Sequence, residues 1–465
     1  MTSNHIAAAI RDFLNNNDTA SIKTALASLH PADIANAIGT LSPEEVARVL
    51  TALSVERAGE VFGYLPAAMQ AETALAMERD ALAALITAMS PDERADLFNA
   101  LPKELQDRLL PVLARADRED IRKLSAYAEG TAGAIMTSDY ATLKADLTTV
   151  EAIARLRREA PNKETIYDSY VVDEDRRLIG VVSLRDLLTE PDEALVGDIM
   201  VREVIFVRAN ESQEEAARKI AQYDLLAIPV INGGDALVGI ITADDAMDVQ
   251  AAEATEDFYR AGGVQDVGSD QKGYVPGMKR ITNVRTASTF VLYRMRIVWL
   301  VLLVFGNIFS GAGIAYFEDT IMAYVALVFF LPLLIDSGGN AGSQAATLMV
   351  RGLAVGDVKL SDWGKMIGRE SFVALLLGIT MAIAVSAIGI FRGGPEVALV
   401  VSLSMVVIVL VGSIIGMSLP FILSRMKLDP AAASAPLITS IADAAGVMIY
   451  FTIATALLDV SSAAA

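Results

Sequence analysis

The pattern of hydrophobic positions changes along the chain, and its first part is a twelve-residue repeat. Between residues 29 and 113 a Leu or Met returns at every twelfth position: Leu29, Leu41, Leu53, Leu65, Met77, Met89, Leu101 and Leu113. Several of these residues are followed by Ser, Pro and acids, as in LSPEE and MSPDE, which is the pattern of a helix start. One short helix per repeat predicts an all-α superhelical domain over 1–130, with a plain helical bundle as the alternative.

Residues 131–250 contain two related halves, 131–193 and 194–250. GAIMTSDY in the first half is echoed by GDIMVREV in the second, and YVVDEDRRLIGVVSLRDLL is echoed by IPVINGGDALVGIITADDAM. Each of the longer segments predicts a strand, a polar turn, a second strand and a helix capped by Ser183 or Thr242. This duplicated pattern resembles a tandem pair of CBS domains, an α/β regulatory module.

Long apolar segments fill the last part of the chain, 286–465, which we expect to be a transmembrane pore domain. Each is long enough for the ~20 residues that a bilayer crossing requires. The five predicted spans are Ile297–Phe317, Thr320–Val350, Ser371–Phe391, Val397–Ser424 and Pro430–Leu458. An acidic stretch, 251–285, precedes them and predicts a connecting or plug helix followed by a linker.

The basic residues beside the spans predict the orientation. All but one of them fall on the same side, the exception being Arg392. By the positive-inside rule, the amino-terminal half is cytoplasmic and the carboxyl terminus lies outside. We expect no signal peptide, because the first residues lack a basic region followed by an apolar core.

Charge is also divided unevenly. The chain has a net charge of −19, with 38 Lys and Arg against 57 Asp and Glu, whereas residues 281–465 carry ten of each sign. The acidic half favours cations as partners and argues against nucleic acid and anionic lipid. The chain has no Cys, and its two His residues are His5 and His30. Thiolate chemistry is therefore excluded, a Ser-His triad is disfavoured, and we expect no enzyme.

The membrane half offers a small set of oxygen ligands. Asp443 is the only charge in the last span and Asp336 the only one in the second, where Asn340 and Gln344 add amides. An ionisable residue at that depth marks an ion or substrate pathway by default. Hard oxygen donors suit Mg²⁺, Ca²⁺ or Mn²⁺, and few direct ligands favour Mg²⁺, which keeps its waters. A twofold dimer would bring two Asp443 carboxylates together.

Other interpretations of these residues stay open. We expect the paired Gly338 and Gly339 to break the span, so Asp336 either lines the mouth of a path or caps that break. Asn340 either lines the path or stabilises a kink. Asp443 would otherwise be a buried acid paired with a neighbouring helix, but the spans contain no basic partner for it.

Carboxylates also recur at helical spacing in the acidic half, where like charges destabilise a helix unless a cation bridges them. These residues are Asp92, Asp96, Asp245, Asp248, Glu253, Glu256 and Asp257. For any single pair a solvated surface is the alternative.

Taken together, the chain resembles the MgtE family of magnesium channels over essentially its whole length. The motifs that carry the resemblance are SPDERADLF, the CBS pair, AEATED, SGGNAGSQAATLMVRG and PLITSIADAAG. It implies a homodimer with a pore on the dimer axis, in which Asp443 is the selectivity residue and Asn340 lines the pore nearby. Ala435 departs from relatives that have a polar residue or glycine there, which puts a secondary pore contact in doubt.

The resemblance also implies regulation from the cytosol. Mg²⁺ would bridge the superhelical domain, the CBS pair and the plug helix and hold the channel shut. The implied ligands are Glu60, Asp92, Asp96, Glu214, Asp224, Asp245, Asp248, Glu253, Glu256 and Asp257. ATP would contact Arg185 and Asp186.

We therefore predict a Mg²⁺-selective homodimeric channel of the inner plasma membrane for passive magnesium uptake, with Mn²⁺ or Co²⁺ as further permeant ions. The alternative is a CBS-regulated secondary transporter of a divalent cation, with a site in broken helices. A membrane-bound sensor that transports nothing is a third class.

Overall fold

The structure is a computed structural model that describes residues 3–264 and 288–458. The chain forms two compact units that divide between Glu253 and Ala254. The linker part of the predicted 251–285 segment lies outside the described residues.

The first unit begins with ten short helices. They are α1 (Ser3–Asn15), α2 (Thr19–Leu26), α3 (Pro31–Ile38), α4 (Pro43–Ala52), α5 (Val55–Gly63), α6 (Ala67–Ala76), α7 (Arg79–Thr87), α8 (Pro91–Ala100), α9 (Lys103–Leu109) and α10 (Arg115–Leu124). The predicted start signal at α4 forms a full cap: Ser42 and Glu45 make a reciprocal capping box, and Pro43 occupies the first turn. At α8 Pro91 likewise lies in the first turn, but Ser90 makes no side-chain cap hydrogen bond.

Each of these helices packs against the next helix but one along the chain. Contacts join α1 to α3, α3 to α5, α5 to α7, α2 to α4, α4 to α6, α6 to α8 and α8 to α10. This order is that of a superhelix, so the bundle alternative is wrong. Repeat positions such as Leu41, Leu65 and Met89 are buried in the domain core, which explains the twelve-residue spacing.

Two small mixed sheets follow, one in each predicted half. The first half contains β1 (Tyr140–Leu143), α11 (Thr149–Glu159), β2 (Thr165–Val172), β3 (Leu178–Ser183) and α12 (Leu184–Thr189). The second contains α13 (Val196–Ile199), β4 (Val207–Arg208), α14 (Gln213–Gln222), β5 (Ala227–Ile231), β6 (Leu237–Thr242) and α15 (Ala243–Ala261). In each sheet the central strand pairs in parallel with the first and antiparallel with the third.

The predicted helix cap at Ser183 is present, and Thr242 bonds the acid three residues on. The hydroxyl of Ser183 donates to Asp186 Oδ2 at 2.7 Å and accepts from the backbone N–H of Asp186 at 3.1 Å. Thr242 likewise donates to Asp245 Oδ2 at 2.6 Å. Each acid three residues after the cap is thereby held at a helix start.

The superhelical domain packs on the second half of the CBS pair. Ala95 of α8 and Leu124 of α10 belong to the same buried cluster as Val238 and Val249. Lys123 Nζ also donates to the carbonyl of Val238 at 3.2 Å. This packing brings α8, with its acidic residues, beside the start of α15.

The second unit consists of long apolar helices. They are α16 (Thr289–Tyr316), the short α17 (Glu318–Ala323), α18 (Ala326–Ala354), α19 (Trp363–Arg425) and α20 (Ala435–Leu457). In the described residues four helical segments are long and apolar enough to cross a membrane, and one of them extends over 66 residues, Leu360–Arg425. That segment is far longer than one crossing requires.

A kink at Gly394 divides α19 into two helices. Its φ of 78° lies in the left-handed region, where glycine is favoured. After the kink the chain folds back, so that Gly389 lies against Ala398 and Gly378 against Val406. The two halves of α19 are therefore antiparallel, and the prediction of five apolar helices agrees with the structure.

The directions of the five helices alternate as successive crossings require. Phe317, at the end of α16, stacks on Phe451 of α20 at 5.6 Å between ring centroids, and Gly313 lies against Val447, so these two helices are parallel. Contacts of α18 with α20 run in opposite directions, because Gly342 meets Ile438 while Ile335 lies beside Gly446.

Glycines in α18 serve close packing, not a helix break. The predicted break at Gly338–Gly339 is wrong, because α18 is one helix from Ala326 to Ala354. A Cβ on Gly342 would lie 2.6 Å from the carbonyl oxygen of Gly412, and Gly338 approaches Gly412 in the same way. Small residues four apart on both helices let their backbones touch, as is common in membrane helix pairs.

Candidate functional site

The candidate ion ligands lie on two neighbouring helices of the second unit. Asp443 is in the first half of α20 and is half-buried, and Gly339 of α18 faces it. A Cβ on Gly339 would be 3.5 Å from Asp443 Oδ1. Asp336 of α18 is near enough to interact electrostatically with Asp443. The two spans predicted to carry one acid each thus bring those acids to the same region.

A polar stripe runs along the exposed face of α18. Asp336, Asn340 and Gln344 are four residues apart, so they share one face, and all three are exposed in the single chain. Asn340 Nδ2 donates to Asp336 Oδ2 at 3.0 Å. Polar groups at membrane depth require protein or water beside them. This face of α18 therefore needs a partner surface or an aqueous path.

α18 is continuous from Ala326 to Ala354, so the helix break that Asp336 was predicted to cap is absent. The hydrogen bond between Asn340 and Asp336 lies on the exposed face of this helix. A pore-lining role for these two residues stays a prediction.

In the first unit, the predicted carboxylates Asp92, Asp96 and Asp245 come together with two that the sequence analysis did not select, Glu93 and Glu164. We call these five residues the acidic cluster. Burial raises the pKa of Asp92 to about 6, and repulsion from Glu164 adds to the effect. Burial raises the pKa of Glu93 and of Asp245 to about 7, in each case with a further contribution from Asp92.

Asp96 and Glu164 complete the cluster. Burial, and then repulsion from Asp92 and Glu93, raises the pKa of Asp96 well above its usual range. Burial and the charge of Asp245 raise the pKa of Glu164. In residues 3–264 and 288–458, however, no three His, Cys, Asp or Glu side chains are grouped closely enough to hold one metal ion. The acidic cluster is thus a set of mutually repelling carboxyls and not a closed metal site.

The basic residue in the middle of this stretch of α8 does not neutralise the cluster. Arg94 is 8 % exposed and turns into the superhelical domain, where its Nη1 pairs with Asp117 Oδ1 at 2.8 Å. Its guanidinium also donates to the carbonyls of Ile86 and Met89 at 3.0 and 2.9 Å. The guanidinium of Arg94 therefore makes contacts that hold α7, α8 and α10 together.

The other predicted regulatory carboxylates are not part of the acidic cluster as we define it. Glu60 pairs with Arg57 at 3.0 Å on α5. Asp248 is largely exposed, and partial desolvation, followed by the charge of Asp244, raises its pKa. Asp224 has a left-handed backbone, with φ of 52°.

Three more predicted ligands lie in the later part of α15, and one lies in α14. Glu253 accepts from Gln213 Nε2 at 3.1 Å, and Glu256 forms an ion pair with Arg260. Asp257 follows on the same helix, and Glu214 is in the first turn of α14.

The predicted nucleotide contacts lie at the start of α12. The carboxylate of Asp186 accepts a hydrogen bond from the hydroxyl of Ser183, and Arg185 is exposed. A cavity of about 350 Å³ opens elsewhere on the same half, and neither residue lines it. Its lining residues are Thr142, Leu143, Lys144, Arg155, Val172, Asp173, Glu174 and Arg176.

Two features of the structure were not predicted from the sequence, for different reasons. Glu164 reaches the acidic cluster only through tertiary packing, and nothing in its local sequence signals that. The close helix contact in the membrane unit did leave a signal, the spacing of four between Gly338 and Gly342 and again between Gly412 and Gly416.

The chain matches models of known protein families. The family model described as a divalent cation transporter matches residues 331–453, and the MgtE intracellular N domain matches 29–130. CBS domain models match 132–193 and 196–252. A curated magnesium transporter MgtE of Thermus thermophilus is 39 % identical over 352 residues, covering 76 % of this chain and 75 % of the relative. The chain belongs to the MgtE family.

A second MgtE relative, from Bacillus subtilis, is 34 % identical over 351 residues, covering 75 % of this chain and 74 % of its own length. These relatives are named transporters and not enzymes, as predicted for this chain.

Solved structures agree for the first unit. The soluble part of a magnesium transporter matches with a TM-score of 0.51 at 31 % identity, covering 54 % of this chain and 99 % of that one. The cytosolic domain of the Mg²⁺ channel MgtE in complex with ATP matches with a TM-score of 0.50 at 37 % identity, covering 52 % of this chain and 99 % of that one. This chain is a multidomain membrane transporter with an intracellular N domain and a CBS pair.

Proposed function

We propose that this MgtE-family protein is a Mg²⁺ channel for passive uptake, with Asp443 and Asn340 in its pore. The observation that carries the proposal is the exposed stripe of Asp336, Asn340 and Gln344 on α18, beside the carboxylate of Asp443 on α20. Carboxylate and amide oxygens can hydrogen-bond the waters of hydrated Mg²⁺, which gives up its waters reluctantly. No basic residue lies in the described spans Ala326–Ala354 and Ala435–Leu457 except Arg351, near the end of α18.

A homodimer is part of the proposal. In one chain the polar face of α18 is exposed, and lipid could not satisfy the hydrogen-bonding capacity that remains there beyond the Asn340–Asp336 bond. A second copy across a twofold axis would enclose this face and double the negative charge at Asp443. Mn²⁺ and Co²⁺, which also accept oxygen ligands, would compete for the same path.

Regulation by Mg²⁺ is supported by the acidic cluster. Burial, with a smaller contribution from mutual repulsion, raises the pKa values of its carboxyls, and a divalent cation would stabilise their charged forms. Mg²⁺ at the cluster and at the other predicted ligands of the CBS pair and α15 would then favour a closed arrangement. The full set is Glu60, Asp92, Asp96, Glu214, Asp224, Asp245, Asp248, Glu253, Glu256 and Asp257.

Orientation and nucleotide binding complete the proposal. Alternating helix directions bring the basic residues Arg351, Lys365 and Arg425 to one side, so we infer that the amino-terminal half is cytoplasmic in an inner membrane and the carboxyl terminus lies outside. The ATP complex of the related cytosolic domain supports ATP binding by this chain, for which Arg185 and Asp186 are the contacts that we propose.

The test is Mg²⁺ current through the purified protein in planar bilayers, with Mg²⁺ varied on the side of the amino-terminal half. Wild type should conduct down the electrochemical gradient without a counter-ion and should close as that Mg²⁺ rises. Asp443→Asn should remove most of the current, whereas Asp357→Asn, an exposed loop residue, should not. Flux that depends on a counter-ion gradient would instead show a secondary transporter, and Asp443→Asn with normal current and selectivity would overturn the pore assignment.

A further inference from the structure

The kink in α19 lies beside the start of α18. The guanidinium of Arg392, two residues before Gly394, stands over the ring of Phe329, with 4.6 Å between Cζ and the ring centroid. Val397, just after the kink, belongs to the same buried cluster as Phe330. A guanidinium is attracted to an aromatic face at such a distance, so this contact holds Arg392 at the first turn of α18.

Phe329 lies on the polar face of α18. It precedes Asp336 by seven residues and Asn340 by eleven, and both spacings are close to whole numbers of helical turns. The ring of Phe329 is 49 % exposed, and the side chains of Arg392, Asp336 and Asn340 are exposed as well. The guanidinium is therefore at the end of the stripe that carries the candidate pore residues, about 10 Å along the helix from Asp336.

No neighbouring acid neutralises Arg392 within the described part of the chain. Its recorded contact is the ring of Phe329, and no carboxylate of residues 3–264 and 288–458 forms an ion pair with it. Glu396 follows after the kink and is exposed. The other three basic residues of α19 lie near its two ends, which the kink brings to the opposite side of the unit. Arg392 therefore contributes a positive potential to its own side of the membrane unit.

We propose that Arg392, held by Phe329, is a fixed positive charge at the mouth of the ion pathway and slows the entry of cations from that side, divalent ions more than monovalent ones. The inference rests on the proposed function, because it takes the polar face of α18 as the pathway. That side is opposite to Thr289, where the described membrane helices begin, because α16 is antiparallel to α18. It is the outside in the proposed orientation.

The charge of the entering ion determines the size of the effect. Electrostatic repulsion is proportional to that charge, so the factor by which Arg392 lowers the local concentration of a divalent ion is the square of the factor for a monovalent ion. Arg392 thus sets the rate at which Mg²⁺ enters, whereas Asp443, farther along the pathway, attracts the ion once it has entered.

The experiment measures Mg²⁺ current through the full-length protein in planar bilayers, at Mg²⁺ concentrations too low to close the channel. Arg392→Gln should raise the current of Mg²⁺ supplied from the Arg392 side about threefold at low ionic strength, the factor for one unit charge acting on a divalent ion across about 12 Å of water. Current of Mg²⁺ supplied from the side of the amino-terminal half should stay as in wild type, because the other mouth then limits entry. The increase should disappear in about 1 M of an impermeant salt, which screens charges beyond about 3 Å.

Three further variants separate the charge from the packing. Arg392→Lys retains the charge and should keep the current near that of wild type. Phe329→Leu removes the ring without changing a charge, and it should raise the current from the Arg392 side by less than Arg392→Gln, because the guanidinium is then no longer held at the mouth. Arg425→Gln removes an exposed charge at the far end of α19, so it is the matched control and should leave this current unchanged.

Different failures separate the hypotheses. If wild type conducts no Mg²⁺, or if Asp443→Asn leaves the current normal, the proposed function fails. If wild type conducts as proposed and Arg392→Gln has the wild-type current at low ionic strength, the pore assignment stands and the role inferred for Arg392 is overturned. A change that is equal in both directions, or one that salt does not reduce, would also overturn it, because such a change would show that the contact with Phe329 only holds the kink in place.

Discussion

Gly339 of α18 faces Asp443 of α20 so closely that a Cβ on the glycine would lie 3.5 Å from the carboxylate Oδ1. The same Cβ would lie 3.1 Å from Cγ2 of Thr439, one turn earlier on α20. The glycine therefore allows α18 and α20 to pack at this level without covering the carboxylate. We interpret Gly339 as a spacer that keeps Asp443 open towards the polar face of α18.

Gly339→Val is expected to reduce Mg²⁺ current strongly, and Gly339→Ala to reduce it less. Overpacking of this kind typically costs about 1–3 kcal/mol, and here the neighbours that must move include the candidate ion ligand. Current should be measured beside Gly306→Ala and Gly306→Val, because a Cβ on Gly306 meets nothing within 4 Å. Normal current in Gly339→Val would show that Asp443 does not depend on this spacing.

Asn340→Ala is expected to lower the preference for Mg²⁺ over Ca²⁺ by about tenfold, with little loss of total current. The variant removes an amide that hydrogen-bonds Asp336, and a hydrogen bond to a charged group is worth about 1.5–3 kcal/mol. Asn340→Gln retains an amide and should lose less. Bi-ionic reversal potentials measure the preference. A variant that folds poorly but keeps its preference would assign Asn340 a structural role.

The sequence predicted the elements well where the signal is local. The twelve-residue spacing correctly predicted the superhelix, and the cap at Ser183 is present together with the Thr242–Asp245 hydrogen bond. The break predicted at Gly338 and Gly339 was wrong. Glycine lowers helix propensity in water, whereas in α18 these glycines allow backbone contact with a neighbouring helix. Here packing against another helix outweighs local propensity.

The candidate site was predictable only in part. Asp443 and Asn340 stand out because charge and amides are rare in apolar spans. Glu164 could not be found this way, since it meets Asp92 and Asp245 only once a strand of the first half, α8 and α15 have packed together. The burial of the Arg94 side chain in the superhelical domain could not be predicted either, because the acids near it in the sequence face the other way.

Arg94→Met is expected to destabilise the superhelical domain by about 3–5 kcal/mol. The change leaves Asp117, only 15 % exposed, without its cation and several carbonyls without a donor. Stability is measured as resistance of the full-length protein to a short protease pulse at increasing urea. Arg115→Met, at an exposed pair with Glu119, should change little. Equal effects of the two variants would contradict the buried role of Arg94.

The acidic cluster should make the first unit less stable as pH rises in the absence of Mg²⁺. The pKa values of Asp92, at about 6, and of Glu93 and Asp245, at about 7, are higher in the folded protein than the ordinary carboxyl values. Between pH 4 and 7 the folded state therefore binds more protons than the unfolded state, and stability falls as pH rises through that window. Above about pH 7 these carboxyls are charged in both states and the fall should level off. After a discount for solvent screening, the total loss is on the order of 3 kcal/mol.

Deuterium uptake of peptides from α8 and α15 in the full-length protein, corrected for the intrinsic pH dependence of exchange, measures this effect. Protection should fall from pH 5 to 8 without Mg²⁺ and should stay nearly constant with saturating Mg²⁺, because the cation replaces the protons. The triple variant Asp92→Asn, Glu93→Gln and Asp245→Asn should abolish the pH dependence, while Asp80→Asn, on the exposed start of α7, should keep it. If the triple variant retains the wild-type pH dependence, the repulsion arises from the overall negative charge of the unit and not from this cluster.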